Sequence, residues 1–139
     1  MKPRLIPELD VSSLATSLPF YQQLLGFILE YERPEERFAM LSLEGAYLML
    51  EEAGGPGRRF RTTELIRPFG RGVNLQIEVT SVESLYNRVT EVGAEIVLPL
   101  EVRWYRSTDI EIGNHQFVVA DPDGYLLRFF RDLGSRSFE

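Results

Sequence analysis

Two residue types that do chemistry are nearly missing from this chain. It has no cysteine and a single histidine, His115. Disulfides and thiolate metal sites are thereby excluded, and no metal can be held by two or three imidazoles of one chain. His115 could in principle act as a base, but it precedes an apolar strand-like run and reads as a residue that satisfies local hydrogen bonds. The carboxylate pairs Glu35–Glu36 and Glu51–Glu52 read as solvated charge. What remains for binding is a set of aromatic side chains: Tyr31, Phe38, Tyr47, Phe60, Phe69, Trp104 and Tyr105. Flat rings of this kind stack on planar partners and tolerate varied ring systems. Phe38 and Tyr47 suit a core and a pocket equally well.

The rest of the composition narrows the partners. A length of 139 residues suits one domain with one core, and 44% hydrophobic with 26% charged residues is ordinary for a globular chain. The net charge of −6 argues against nucleic acid and favours a cationic over an anionic ligand. The longest apolar stretches, such as Ala46 to Leu50, are far too short to span a membrane. Met1-Lys2-Pro3-Arg4 leads directly into a strand-like segment without the apolar stretch of a secretion signal, so a cytoplasmic location is expected.

The elements that must position these residues are written twice. Leu9-Asp10-Val11-Ser12-Ser13-Leu14 matches Ile77-Glu78-Val79-Thr80-Ser81-Val82, 68 positions later. Each segment alternates apolar and polar residues and then reaches a Ser or Thr cluster, the pattern of a half-buried strand entering a helix. The first helix carries Leu14, Leu18, Tyr21, Leu24 and Leu25 and stops at Gly26. The second carries Val82, Leu85, Tyr86, Val89 and Val92 and stops at Gly93. A second register, offset by 79, pairs Phe38 to Gly45 with Phe117 to Gly124, and Gly45 and Gly124 read as hairpin turns. Each unit is then strand, helix, strand, strand, strand. Unit one spans about 4–52 and unit two about 72–131. Between them Ala53-Gly54-Gly55-Pro56-Gly57 and a basic stretch to Arg71 read as a mobile loop, the linker 53–71. The extra residues of unit two fall in Trp104 to Asn114, where Ser107, Thr108, Asp109 and Gly113 suggest a loop.

Paired βαβββ units, together with specific wording, resemble the vicinal oxygen chelate superfamily of glyoxalases, extradiol dioxygenases and bleomycin-resistance proteins. Ser17-Leu18-Pro19-Phe20-Tyr21 leading to Leu24-Leu25-Gly26-Phe27 looks like its first helix. Asp121-Pro122-Asp123-Gly124-Tyr125 followed by Leu126-Leu127-Arg128-Phe129 looks like its final hairpin, and Gln116-Phe117-Val118-Val119 is similar to the bleomycin-resistance branch. The resemblance runs from about Leu5 to Phe130. It implies an α+β fold of two tandem units whose curved mixed sheets form a cavity, all in a single domain, 1–139, and paired across a homodimer.

Enzymes of that superfamily hold a metal with one His or Glu on each of four strands. By resemblance those positions are Ile6, Met49, Asn74 and Arg128 in this chain. Isoleucine cannot ligate, methionine is a soft ligand unsuited to Mg, Mn or Zn, and a guanidinium brings positive charge where a cation would sit. The resemblance therefore implies a binding protein with no metal, no cofactor and no catalytic residue, which sequesters a planar aromatic or cationic ligand such as bleomycin. The expected ligand-binding residues are Trp104, Tyr105, Phe38, Tyr47, Met49, Phe60, Asn74 and Arg128. Trp104-Tyr105-Arg106 would form a lip of the cavity. An acidic or polar neighbour for Arg128 would come from Glu8, Asp10, Gln76, Glu78 or Glu101. The alternative is a metal-dependent lyase, isomerase or dioxygenase with ligands at other positions.

Overall fold

The structure, a computed structural model, describes residues 2–138. It is α+β, with two four-stranded mixed sheets and the strand–helix–strand–strand–strand order repeated. Among the described residues no helix is long and apolar enough to cross a membrane.

The first unit runs to Arg71 and includes the turn residues Pro122–Gly124. Its elements are β1 (Glu8–Val11), α1 (Leu14–Pro19), β2 (Ile28–Arg33), β3 (Phe38–Leu43) and β4 (Ala46–Glu52), with strand order β1-β4-β3-β2. Ser13 caps α1 by accepting a hydrogen bond from the Thr16 amide through its hydroxyl. Pro19 lacks an amide hydrogen, and the chain passes beyond it into a wider π-turn over Phe20–Leu24, in which the Leu25 amide donates to the Phe20 carbonyl. Gly26 ends the helical segment with φ of 89°. One face of the sheet buries Leu9, Val11, Ala39, Leu41, Leu48 and Leu50, and Tyr21 and Leu25 are buried with them. Glu44 and Gly45 have φ of 47° and 93°, the backbone of a two-residue turn that matches strand twist.

The second unit has β5 (Asn74–Glu78), α2 (Val82–Glu91), β6 (Ile96–Ser107), β7 (Ile110–Ala120) and β8 (Leu126–Ser137), ordered β5-β8-β7-β6. Helix α2 buries Val82, Leu85 and Val89, and Tyr86 meets Phe117 edge-on at 5.1 Å. Phe117 and Phe129 lie 5.6 Å apart beneath it. Val92, expected on the buried stripe, is 64% exposed because α2 ends at Glu91.

Three expectations are corrected. Trp104 to Asn114 is not a loop. It continues β6 and β7 as a long hairpin that turns at Thr108–Asp109, with Trp104 paired to Gly113 and Ser107 to Ile110. The indole fills the space above Gly113, where an added Cβ would lie 2.7 Å from the ring, so the glycine serves packing within a strand. His115 likewise lies inside β7 rather than ahead of it. The linker is not wholly mobile either. Arg59 is nearly buried against Glu51 at 2.6 Å and also donates to the Glu52 carbonyl, and Arg61 holds Asp10 at 2.8 Å.

Candidate ligand site on the second sheet

Alternation along β5–β8–β7–β6 gives the second sheet two faces. One carries Phe117, Phe129 and Leu127 toward α2. On the other, register pairs Gln76 with Arg128, Arg128 with Val118, Phe130 with Gln116, Gln116 with Glu101, and Ile112 with Tyr105. A hydrogen-bonded cluster sits on this second face. Arg128 donates to the Gln116 side-chain oxygen from Nε at 3.1 Å and from Nη2 at 2.8 Å, and Nη2 also donates to the Tyr105 hydroxyl at 2.8 Å. Gln116 Nε2 donates to that hydroxyl at 2.7 Å and to Glu101 at 3.0 Å. Only one orientation of the Gln116 amide satisfies both neighbours, since the guanidinium needs an acceptor and the carboxylate needs a donor. Gln116 is 1% exposed, so the cluster is anchored in the sheet, and Asn114 adds a long 3.5 Å contact to its oxygen.

The electrostatics of this face are positive around one ring. The guanidinium carbons of Arg128 and Arg103 lie 5.3 and 5.9 Å from the Tyr105 ring centroid. Among the described residues, no carboxylate stands within 4.0 Å of either guanidinium. Of the groups considered for Arg128, Glu101 is joined to it only through the Gln116 amide. Chemically the cluster is a set of converging N–H and O–H donors suited to holding an acceptor group.

The residues expected at a site fall in different places. Tyr105 and Arg128 come together in the cluster. Asn74 is exposed one register step away, paired with Leu126. Trp104 points to the opposite face from Tyr105, where Arg136 lies 4.1 Å over its ring and pairs with Glu111 at 2.8 Å. The two therefore do not form one lip, because neighbouring strand residues face opposite ways. In the first unit, Phe38, Met49 and Tyr47 lie on the face of β3 and β4 opposite Leu41, Leu48 and Leu50. Phe38 is 1% exposed under the Arg33 guanidinium, Met49 stands beside Met40, and Tyr47 stands opposite Ser42. Phe60 is 74% exposed beside Arg58. His115 lies on the α2 face, 3.7 Å from Glu83.

The same unit overturns the reading of Glu51 as solvated charge. Glu51 is 4% exposed, and burial, ahead of the opposing pull of Arg59, pushes its carboxyl above the ordinary range. A cleft of about 400 Å³ lined by Leu14, Leu18, Pro19, Gln22, Arg37 and Glu52 holds none of the expected site residues. Gln116 and Arg103 were not among the residues expected at the site, nor was Arg59 expected to reach Glu51. The alternation of Arg103, Tyr105, Asn114 and Gln116 along β6 and β7 was the available signal for the first two.

The model of the Glyoxalase/Bleomycin resistance protein/Dioxygenase superfamily matches residues 7–129. The chain belongs to this superfamily. Among solved structures of similar fold, TioX from Micromonospora sp. ML1 superposes with a TM-score of 0.71 at 24% identity, over 95% of this chain and all of its own. A protein of unknown function from Agrobacterium tumefaciens str. C58 superposes with a TM-score of 0.69 at 22% identity, over 96% of this chain and 97% of its own. A member of the superfamily from Vibrio splendidus 12B01 is 40% identical over 92% of this chain and 97% of its own, with a TM-score of 0.42. None of the curated proteins matches the chain.

Superfamily membership raises the question of a metal, and the donor set answers it. Register supports the equivalence of the two units, since Glu8 pairs with Met49 as Gln76 pairs with Arg128. The positions that the resemblance implies for the metal hold Ile6, Met49, Asn74 and Arg128. Among the described residues, no three His, Cys, Asp or Glu side chains gather as a ligand set. By the same resemblance, a guanidinium already committed to Gln116 and Tyr105 stands where the last ligand would be. These residues do not fit a catalytic divalent cation.

Proposed function

We propose that this chain is a metal-free small-molecule binding protein of the bleomycin-resistance type, which holds a planar aromatic ligand and works as a homodimer. The observation that carries this reading is Arg128. It stands at a superfamily metal position, is locked into a buried amide and a phenol hydroxyl, and turns that position into a hydrogen-bonding anchor. Tyr105 supplies an aromatic surface beside it, and Ile112, Val118 and Phe130 give the face an apolar surround. A few polar groups in an apolar setting are the usual make-up of a small-molecule site. The positive charge of Arg103 and Arg128 disfavours a cationic group at this face, whatever the net charge of the whole chain.

A thermal-shift screen with bleomycin and other planar aromatic compounds tests the reading, because a ligand that binds only the folded chain raises the melting temperature with concentration. Saturable stabilisation by at least one such compound is expected. A divalent metal retained one per chain after dialysis against Mn, Fe, Ni and Zn would overturn it in favour of a metal-dependent lyase, isomerase or dioxygenase.

A further inference from the structure

We infer that the second sheet binds an aromatic monocarboxylate, gripped by Arg128 and the Tyr105 hydroxyl; this rests on the small-molecule binding reading and names its ligand class. The Tyr105 oxygen accepts from both Arg128 Nη2 and Gln116 Nε2. With both lone pairs engaged, its own proton is left to be donated outward. Arg128 spends Nε and Nη2 on the protein, and no hydrogen bond within the described residues uses Nη1. The face thus presents the Nη1 hydrogens and one phenolic hydrogen side by side, a donor set that suits the two oxygens of a carboxylate.

Charge selects the same group. A half-buried guanidinium without a carboxylate in contact is a charge awaiting an anion. Gln116 lets Glu101 share the network without touching Arg128, so the local excess is small and fits a monoanion better than a dianionic phosphate. Arg103, also without a carboxylate in contact, adds to the attraction from the other guanidinium at the Tyr105 ring. Ile112, Val118 and Phe130 on the same face supply the apolar ground for the ligand's ring.

Titration calorimetry of the full chain with 2-naphthoate, its neutral amide 2-naphthamide and the cation 2-naphthylmethylammonium tests this. Naphthoate is expected to bind roughly tenfold or more tighter than the amide, the scale of one charge-assisted contact. Arg128→Gln should erase that preference, lowering naphthoate affinity far more than naphthamide affinity, and Arg128→Lys should keep part of it. Tyr105→Phe, at a residue 38% exposed and so tolerant of change, should lower naphthoate affinity several-fold and narrow the gap to the amide. Equal or tighter binding of the amide or the ammonium by the unaltered chain overturns the carboxylate anchor without needing any variant. If none of the three binds while bleomycin or another aromatic compound still stabilises the fold, the anchor is wrong and the binding reading stands. If nothing in the wider screen stabilises the chain either, both fail.

Discussion

Glu51 and Glu52 are chemical neighbours with opposite fates, and the pleat of β4 is the cause. Glu51 faces Asp10 and the inserted Arg59, and burial raises its pKa. Glu52 faces the start of α1, where it accepts from the Leu14 amide at 3.0 Å and from Arg37 at 2.8 Å; the Leu14 amide first, and then Arg37, lower its pKa. A carboxylate at a helix N-terminus meets unpaired amides and the positive end of the helix dipole. A depressed folded-state pKa means that the stability from Glu52 is present above its unfolded value near 4.5 and is lost as pH falls through the lower folded value. Glu52→Gln should therefore cost about 1 kcal/mol at neutral pH. The cost should shrink as the medium is acidified below the ordinary carboxylate range. Denaturant titration of both proteins across that window measures it, and a penalty that stays constant with pH would show that Glu52 acts by shape alone. Glu51 has the reverse sign: its contribution is greatest below the unfolded value and declines as pH rises through the raised folded one.

The β6–β7 hairpin is the element in which sequence and structure part company. Gly113 and a Thr108–Asp109 pair look like loop punctuation, yet both serve a ladder. Thr108 takes φ of 62° at the turn, and Gly113 gives its side-chain space to the Trp104 indole. Arg136 of β8 also lies over that ring while pairing with Glu111, so the three strands are clipped together at this end. Gly113→Ala should destabilise the chain by about 1–3 kcal/mol, because the new methyl competes with a ring held in place. Most of that penalty should vanish in a Trp104→Ala background, where the space is empty. A double-mutant cycle by chemical denaturation reads the coupling, and additive effects would mean that the ring swings aside freely.

At the scale of the whole molecule, the end of the second sheet leaves Ile110 and Ile112, alternate residues of β7 on one face, exposed at 38% and 40%. Neighbouring exposed apolar side chains of this kind are a surface that a second chain can cover. With the homodimer proposed above, sedimentation at micromolar concentration should give a species of twice the chain mass, and a monomer throughout would remove the dimer from the proposal.

The sequence by itself determined the architecture. Two registers of matching residues specified paired βαβββ units, Gly26 and Gly93 marked where the helices stop, and Gly45 and Gly124 marked hairpins. These are local signals, because a left-handed φ or an alternating pattern is written in adjacent residues. The identity of Ile6, Met49, Asn74 and Arg128 also needed no structure. Tertiary structure alone decided which of two adjacent residues faces where: Tyr105 toward Arg128 and Trp104 away from it, Glu51 into burial and Glu52 onto a helix end. It also decided that Gln116 stands between Glu101 and Arg128, and that Arg59 leaves its loop to reach Glu51. Each of these depends on the register between strands far apart in the chain. A slip of one residue would exchange the two faces while leaving the local pattern almost unchanged.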